Sequence, residues 1–265
     1  MFNKVGIIGL GFVGGAVRES FCSGLTGLVL VDTNPNLASG TYEELMSCEG
    51  IFVCVPSPSN IDGSCNTSIL ESVLEKLKGY EGVIISKTTA PASKYEELNK
   101  LYPNLVHNPE FLTAANANED YLNQEFAIIG GRVKAYVHEA ERIIRLSLPS
   151  LQVVYHCSIG EASLAKYAIN CFLATKVVFM NELEQLVRAS NLDYNRIAGM
   201  IAHDKRIGQS HMRVPGPDGS YGFGGACFPK DTTALLKYAE GLGINLNTLD
   251  AAVKKNTLLR LTESK

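Results

Sequence analysis

The sequence lacks the features that mark several classes of protein. Its seven cysteines are an odd number and form no C-x-x-C pair, so neither a disulfide framework nor a metal site is predicted. The 24 basic and 27 acidic residues nearly balance, and no run of like charges is long enough to indicate a nucleic-acid partner. No apolar stretch approaches the roughly 18 residues of a membrane span. Met1–Gly9 reads as a strand before a glycine turn, not as a secretion signal, so we expect a cytoplasmic protein.

Short apolar runs alternate with helical stretches over the first part of the chain. The runs are rich in β-branched residues, too short for helices and bounded by Gly, Pro, Asn or Asp, which favours buried strands. They are Lys4–Ile8, Leu28–Asp32, Ile51–Val55, Val83–Lys87, Leu105–His107, Ala127–Ile129 and Gln152–Tyr155. Helical stretches between them are Gly15–Ser23, Ser68–Leu77, Ser93–Leu101 and Val137–Leu148. This alternation predicts an α/β fold with a doubly wound parallel sheet.

The pattern changes near residue 158. Residues 161–191 contain no Pro or Gly and carry apolar residues at helical spacing, which predicts one long helix. Further helices are predicted over residues 194–202, 230–241 and 246–261, with a loop rich in Gly and Pro starting at Val214. We therefore expect residues 1–158 to form an α/β domain and residues 159–265 to form an all-helical domain.

A glycine motif follows the first predicted strand and opens a helix. In Gly9-Leu-Gly11-Phe-Val-Gly14, the first glycine permits a tight turn, the second lets the backbone approach a pyrophosphate, and the third lets helix pack on strand. Asp32 ends the next strand, where a carboxylate binds the adenosine ribose hydroxyls and repels a 2′-phosphate. This context predicts NAD rather than NADP as cofactor. The motif alone also fits a turn that binds another nucleotide or none.

Three other segments follow predicted strands, at the edge where a parallel sheet forms its ligand crevice. Val55–Pro58 and Thr88–Pro91 are candidates for cofactor contacts, although each also reads as an ordinary turn. Asn108–Leu112 places the carboxylate of Glu110 beside the crevice, with an exposed loop glutamate as the alternative.

The segment Gly222–Asp231 crowds glycines up to a single cysteine, Cys227. The glycines indicate close approach of backbone to a ligand, and Lys230 is near enough in sequence to favour a thiolate. We therefore interpret Cys227 as a nucleophile rather than as an inert buried thiol. Lys166 and Asn170 project from one face of the long helix, either into a site or as part of a solvated face.

Seven segments of the chain resemble, in the same order, the signature segments of the UDP-glucose/GDP-mannose dehydrogenases. They are Gly9–Gly14, Val55–Pro58, Thr88–Pro91, Asn108–Leu112, Lys166 to Asn170, Asp204–Gly208 and Gly222–Asp231. The resemblance runs from Val5 to about Leu261. It implies a Rossmann-like NAD-binding domain, a helical dimerisation domain and a homodimer built on the long helix.

The resemblance also implies a chemistry, in which a nucleotide-sugar C6 alcohol is oxidised twice, with UDP-glucose the expected substrate and two NAD used in turn. The positions that match catalytic groups are Cys227, Lys166, Asn170, Asp231, Glu110 and Thr89. Cofactor-binding positions are Gly9, Gly11, Phe12, Val13, Gly14, Asp32, Pro56, Ser57, Thr89 and Lys230. Substrate-binding positions are Glu110, Phe111, Leu112, Lys166, Asn170, Arg206, Tyr221, Phe223, Gly224 and Cys227.

Each catalytic match carries a role in the family. Cys227 corresponds to the nucleophile that captures the aldehyde as a thiohemiacetal, whose oxidation gives a thioester. Lys166 and Asn170 correspond to the groups that stabilise the oxyanion, while Glu110, Thr89 and Asp231 position water and relay protons. Arg206 corresponds to an arginine that reaches the neighbouring subunit's substrate.

The sequence departs from the family at two places. Ala114 stands where the family usually has an acidic residue four positions after Glu110, so that contact is absent or replaced. Family members usually continue into a third, nucleotide-binding domain beyond the point where this sequence stops at Lys265. We expect either a minimal enzyme, a separate chain that supplies the domain, or lost activity.

Two other functions fit part of the pattern. A β-hydroxyacid-type dehydrogenase would use Lys166 and Asn170 in a single hydride transfer, but it needs no nucleophilic cysteine. A non-catalytic NAD-binding subunit would keep the fold, although the intact Cys227, Lys230 and Asp231 argue against it. Nothing in the pattern identifies the nucleotide or the sugar.

Overall fold

The computed structural model describes residues 4–21, 27–113, 116–148 and 150–261. The chain divides into two compact units, the first formed by residues 1–58 and 66–166 and the second by residues 59–65 and 167–265. The division runs through one continuous helix, eight residues beyond the boundary predicted at residue 158. The placement of that boundary stays a prediction.

The first unit alternates strands with helices, as the sequence predicts. Among its described residues, the strands are β1 (Val5–Ile8), β2 (Leu28–Val31), β3 (Gly50–Val53), β4 (Val83–Ser86), β5 (Leu105–His107), β6 (Phe126–Gly130) and β7 (Val153–Cys157). The helices are α1 (Phe12–Phe21), α2 (Tyr42–Leu45), α3 (Ser68–Lys76), α4 (Ala92–Leu101), α5 (Ala117–Leu122) and α6 (Lys134–Ser147). Strands β1, β3, β4 and β5 are buried along their whole length, which is why they read as continuous apolar runs.

The strands form one sheet in the order β2-β1-β3-β4-β5-β6-β7. The sheet is parallel except between β5 and β6, where His107 lies opposite Gly130 in an antiparallel pair. The predicted parallel sheet is therefore confirmed except at this pair. In the described part of the connection between them, the only helix is the six-residue α5, which is too short to cross back over the sheet, so β6 starts at the edge where β5 ends and runs in the opposite direction.

The two faces of the sheet carry separate hydrophobic cores. Successive strand residues point to opposite faces, so Ile7 lies in one core and Ile8 in the other. The first core takes in Val17 of α1, and the second takes in Leu74 of α3. Full burial of each such side chain contributes about 1.5–3 kcal/mol. Helices therefore cover both faces, and the predicted doubly wound architecture is confirmed.

Two short helices, α2 and α5, are not predicted from apolar periodicity because neither is long enough to show it. A local signal for α2 is present in the sequence. The hydroxyl of Thr41 accepts from the backbone N–H of Glu44 at 3.3 Å, and the Glu44 carboxylate accepts from the N–H of Thr41 at 2.9 Å. This capping box satisfies two backbone donors at the start of the helix.

The second unit is helical. Its helices among the described residues are α7 (Ile159–Ala189, whose first turns belong to the first unit), α8 (Tyr194–Ala202), α9 (Phe228–Gly241) and α10 (Asn247–Leu261). All four agree with the predicted positions to within two residues. The short segment Ser59–Cys65 joins this unit, with Gly63 packed against Thr233 of α9.

Helix α7 is long and apolar enough, by length and composition, to cross a membrane. Its buried side chains nevertheless pack in three clusters of the second unit. Cys171 meets Leu235 and Leu249, Val178 meets Phe223 and Leu259, and Val187 meets Tyr194 and Met212. This is the packing of a core helix in a folded domain.

Candidate functional site

The glycine motif forms a tight turn between β1 and α1. Gly9 has φ of +85°, and a Cβ there would lie 2.7 Å from the carbonyl oxygen of Cys54. A Cβ on Gly14 would lie 1.8 Å from the carbonyl oxygen of Gly9, so α1 packs on the strand only because this residue is glycine. A Cβ on Gly11 would meet nothing within 4 Å. The first and third glycines are thus required by packing, and the second faces open space that a pyrophosphate can approach.

Asp32 lies at the end of β2 beside this turn. Its carboxylate accepts from the backbone N–H of Asn34 at 2.7 Å and from that of Leu10, inside the glycine motif, at 2.6 Å. These hydrogen bonds, the one from Asn34 first, lower the pKa of Asp32. The carboxylate is therefore ionised at neutral pH and held at the position that the dinucleotide motif requires.

A crevice of about 870 Å³ opens at the carboxyl ends of β1, β2 and β3. Strand β1 has β2 on one side and β3 on the other, so the crevice lies where the strand order reverses, the usual ligand position in such sheets. The predicted cofactor residues that line it are Gly9, Gly11, Phe12, Val13, Asp32 and Pro56. Ser57 is buried outside this lining, and Lys230 belongs to the second unit.

The turns after β3 and β4 are fastened to each other. The hydroxyl of Thr88 donates to the carbonyl oxygen of Val55 at 2.8 Å, and the hydroxyl of Tyr95 donates to the carbonyl oxygen of Thr88 at 2.5 Å. Thr89, the predicted proton-relay residue, follows directly and is half-buried. Both predicted turn segments are therefore held rigidly at the carboxyl edge of the sheet.

Glu110 and Lys166 form a buried ion pair in the first unit. The Lys166 ammonium donates to Glu110 Oε1 at 2.9 Å and to the carbonyl oxygen of Glu110 at 2.5 Å. The backbone N–H of Leu112 donates to Glu110 Oε2 at 2.7 Å, and the ring of Phe111 lies 5.3 Å from the ammonium. Only 3% of Lys166 and 7% of Glu110 is exposed. This burial excludes the interpretation of Glu110 as an exposed loop residue and that of Lys166 as part of a solvated helix face.

A second buried lysine, Lys87, lies in the same unit and was not identified from the sequence. It follows β4, and its ammonium donates to Asn108 Oδ1 at 2.8 Å. The Asn108 amide in turn donates to the carbonyl oxygen of Ile128 at 2.8 Å. Burial lowers the pKa of Lys87 to about 8. Lys87 thereby anchors the Asn108–Leu112 segment that carries Glu110, and its only sequence signal is a charged residue at the end of an apolar strand.

Cys227 caps the N-terminus of α9 in the second unit. Its carbonyl oxygen accepts from the backbone N–H of Asp231 at 2.8 Å, and the thiol is on the surface. Of the six cysteines that the structure describes, Cys227 is the exposed one. Burial raises the pKa of Cys48 to about 11 and that of Cys54 to about 12. An exposed thiol at a helix N-terminus is the position that favours a reactive thiolate.

Asp231 lies one turn further along α9, with 1% of its surface exposed. The side-chain amide of Asn170 donates to its Oδ2 at 2.6 Å, and the ammonium of Lys230 donates to its Oδ1 at 2.5 Å. Asn170 is therefore buried against a catalytic candidate and is not part of a solvated face. Lys230, the lysine expected to favour the Cys227 thiolate, is paired with the Asp231 carboxylate. Its effect on the thiolate stays a prediction.

Two asparagines that sequence reasoning missed clamp the glycine-rich loop before Cys227. Asn181 of α7 accepts from the N–H of Gly222 at 2.9 Å. Asn256 of α10 accepts from the N–H of Phe223 at 2.6 Å and donates to its carbonyl oxygen at 3.0 Å. Both asparagines are buried. The signal that could have found them is a polar residue inside the apolar stripe of a helix.

The comparisons with known proteins match both units. The model of the NAD-binding domain of the UDP-glucose/GDP-mannose dehydrogenase family matches residues 33–146, and the model of the family's central domain matches residues 160–258. The chain belongs to the UDP-glucose/GDP-mannose dehydrogenase family. Its cofactor is accordingly NAD, as the glycine motif and Asp32 predict.

Individual relatives agree with this assignment. The chain is 31% identical to UDP-glucose 6-dehydrogenase TuaD of Bacillus subtilis (strain 168), over 80% of this chain and 47% of the relative. It is 33% identical to a UDP-glucose 6-dehydrogenase of Rickettsia bellii, over 81% of this chain and 50% of the relative. The sequence thus spans about half the length of these relatives.

A solved structure shows the same fold. A UDP-glucose dehydrogenase from the archaeon Pyrobaculum islandicum superposes with a TM-score of 0.82 at 24% identity. The alignment covers 97% of this chain and 68% of the archaeal chain.

The remaining substrate positions expected for the family are all in the second unit. Phe223 is buried in the cluster formed with Val178 and Leu259, and Tyr221 packs against that cluster. A Cβ on Gly224 would lie 1.6 Å from an Arg260 nitrogen, so the loop passes directly under α10. Contacts of these residues with a substrate stay predictions.

Two positions from the family comparison remain, Arg206 and Ala114. Arg206 projects to the surface, with 89% of its side chain exposed, and pairs with Asp204 at 2.6 Å. Its reach to a neighbouring subunit stays a prediction. Ala114, where the family usually has an acid, lies outside the described residues.

Proposed function

We propose that this protein oxidises the C6 alcohol of a nucleotide sugar, UDP-glucose first among candidates, to the carboxylate. The observation that carries the proposal is the exposed Cys227 at the start of α9, one turn before the buried Asp231–Asn170 pair. The relatives in Bacillus subtilis and Rickettsia bellii are UDP-glucose 6-dehydrogenases, which supports the same substrate class. The overall balance is one alcohol, two NAD⁺ and one water giving a carboxylate, two NADH and three protons.

The chain's own residues have separable roles in this reaction. Asp32 and the glycine turn hold the cofactor, which when bound accepts hydride from C6. The Cys227 thiolate adds to the C6 aldehyde, forming a carbon–sulfur bond and an oxyanion that takes up a proton. This adduct becomes a thioester when C6 gives a hydride to the second NAD⁺ and the hydroxyl group loses its proton. Water then adds to the thioester carbon and the carbon–sulfur bond breaks, which releases the carboxylate and the thiol.

Lys166 and Asn170 supply the donors that stabilise the developing oxyanion. Preorganised donors of this kind commonly contribute about 10²–10³ in rate. Each is held in advance by a carboxylate within its own unit, Glu110 for Lys166 and Asp231 for Asn170. Such pairing fixes the direction in which each donor points before the substrate binds.

A single-hydride β-hydroxyacid-type dehydrogenase is the second candidate. The buried Lys166 and Asn170 favour it equally well, because that reaction also needs an ammonium and an amide near the alcohol. It has no use for an exposed cysteine beside a buried Asp231. The stoichiometry separates the two candidates, since one predicts two NADH per product and the other predicts one.

We also propose a homodimer that associates through α7. Three large apolar side chains on this helix repeat every seven residues and are exposed, namely Phe172 (70%), Phe179 (61%) and Leu186 (63%). Several exposed large apolar side chains on one face of a helix indicate an interaction surface. The six cysteines that the structure describes are free, which fits the reducing cytoplasm in which we place the protein.

The test is to incubate the purified protein with NAD and a panel of UDP- and GDP-sugars, following NADH and identifying the product by mass. We expect two NADH per sugar acid. Cys227→Ser should lose turnover by several orders of magnitude while NAD binding persists, with Cys65→Ser as the matched control. Two NADH per sugar at the wild-type rate from Cys227→Ser would overturn the covalent mechanism, and one NADH per product would favour the second candidate.

A further inference from the structure

Three side chains with metal-binding atoms meet on the surface of the first unit. His138 and Glu141 project from α6, and His156 lies on β7. One ligating atom from each lies within 4.8 Å of the others, and His156 Nε2 is 2.7 Å from Glu141 Oε2. The two imidazole rings are 5.0 Å apart in an edge-on arrangement. Nothing in the proposed dehydrogenase chemistry uses these residues.

The fold, not the local sequence, creates this cluster. His138 and Glu141 are three residues apart on α6 and therefore share a face of the helix. Helix α6 crosses over from β6 to β7, which lies at the edge of the sheet. The crossover brings this helix face against His156, fifteen residues after Glu141 in the chain. No ligand-spacing motif covers these positions, which is why the sequence predicts no metal.

We propose that His138, Glu141 and His156 bind one divalent transition-metal ion of the Zn²⁺ class and so tie α6 to the edge strand β7. Two imidazoles and one carboxylate are a ligand set that Zn²⁺, Co²⁺ and Ni²⁺ accept, with a fourth position left to water. At metal–nitrogen distances of about 2.0–2.1 Å, tetrahedral ligands lie roughly 3.4 Å apart. Because the histidines are on the surface, small side-chain rotations bring the three atoms to that spacing.

Arg145 orients the carboxylate for this role. Its Nε donates to Glu141 Oε1 at 2.7 Å, and its Nη1 donates to the carbonyl oxygen of Leu151 at 3.2 Å. Oε2 is thus left facing the imidazoles. In metal sites, the non-ligating oxygen of a carboxylate commonly accepts a hydrogen bond from a neighbouring side chain. This bond orients the carboxylate before the metal ion binds.

The experiment titrates the full chain with Co²⁺ and with Zn²⁺, by calorimetry and by absorption of the Co²⁺ complex. We expect one equivalent bound, a Co²⁺ spectrum of nitrogen and oxygen ligands without thiolate charge transfer, and a melting temperature raised by several degrees. His138→Ala and His156→Ala should each weaken binding by at least about tenfold, since loss of even an outer-sphere partner costs about that much. His203→Ala removes a surface histidine of the second unit and should change nothing.

Thiolate bands in the Co²⁺ spectrum, or equal affinity in the wild type and both histidine variants, would overturn the proposal. If His156→Ala does not fold, Glu141→Gln keeps the shape of the side chain and removes the ligand charge, so weakened binding in that variant supports the site and wild-type binding refutes it. Because β7 lies at the opposite edge of the sheet from β2, NAD binding should be the same in all variants, and this serves as the folding control.

Discussion

Replacement of His107 by phenylalanine should remove a specific acid sensitivity from the first unit. His107 ends β5, immediately before the Asn108–Leu112 segment, and is fully buried. Its ring stacks on that of Tyr95 at 4.2 Å, and its Nδ1 lies 3.0 Å from the carbonyl oxygen of Ser86. Burial lowers the pKa of His107 to about 3, from 6.5 in an unfolded chain. The imidazole is therefore neutral in the folded protein at any pH where the protein is used.

The sign and size of the effect follow from linkage. Since the unfolded chain binds a proton near pH 6.5 and the folded protein does not, His107 costs stability as the pH falls below 6.5. Between pH 7.5 and pH 5 the loss is about 2 kcal/mol, because each unit of pH below the unfolded pKa costs roughly 1.4 kcal/mol. This figure depends little on the folded pKa, provided that it stays below about 4.

Phenylalanine keeps the stacked ring and cannot titrate. It also removes Nε2, a buried nitrogen with no hydrogen-bond partner among the described residues. The Ser86 carbonyl oxygen keeps a partner in the N–H of Asn108, at 2.9 Å. Any constant cost of the substitution cancels when the difference between wild type and variant is compared across pH values.

The assay is urea unfolding at pH 5, 6 and 7.5, followed by circular dichroism because the chain has no tryptophan. The free energy of unfolding of the wild type, relative to that of His107→Phe, should fall by about 2 kcal/mol from pH 7.5 to pH 5. His203→Gln controls for the loss of a surface histidine. A difference between wild type and His107→Phe that stays constant across this range would refute the claim that His107 is buried and neutral.

Four further changes test the site. Asp32→Asn should lower the preference for NAD over NADP, measured as the ratio of kcat/KM values, because the ionised carboxylate no longer opposes a 2′-phosphate. Glu110→Gln should destabilise the protein by about 1–3 kcal/mol and reduce turnover, since Lys166 loses its buried charge partner. Asn256→Leu should cost about 1–3 kcal/mol and lower turnover without changing NAD affinity, since it orphans the Phe223 N–H. Phe179→Glu should yield monomers by light scattering.

Each of these expectations can fail on its own. Unchanged cofactor selectivity in Asp32→Asn would remove that residue from the ribose site. Full turnover in Glu110→Gln would mean that Lys166 needs no carboxylate to act. Unchanged turnover in Asn256→Leu would show that catalysis does not need this asparagine to hold the loop before Cys227. Dimers of Phe179→Glu, with Lys176→Glu as a charge control, would place the interface elsewhere.

Local patterns in the sequence were enough to find most secondary structure. Helix α8 begins and ends at the residues that apolar spacing predicts, and β5 does so as well. Gly9, Gly14 and Asp32 were assigned from a motif whose spacing reflects the packing of one turn on one helix. These features succeed because the interactions that determine them join residues close together in the chain, where periodicity and turn chemistry are visible.

Contacts between segments that are far apart in the chain could not be predicted from these local patterns. The antiparallel register of His107 with Gly130, and the anchoring of Asn108 by Lys87, join strands whose order no local pattern encodes. The sequence alone also left two interpretations open for some polar side chains, including those of Glu110 and Asn170. Only burial, at 7% and 6% exposure, separated a site residue from a solvated one.

The sequence by itself determined the fold class, the family and the dinucleotide motif, because each depends on residue types at short and regular spacing. The tertiary structure alone decided which carboxylate pairs with which donor, Glu110 with Lys166 and Asp231 with Asn170. Those partners are 56 and 61 residues apart in the chain. Their pairing depends on desolvation and on packing of whole elements, and both arise only when the chain has folded.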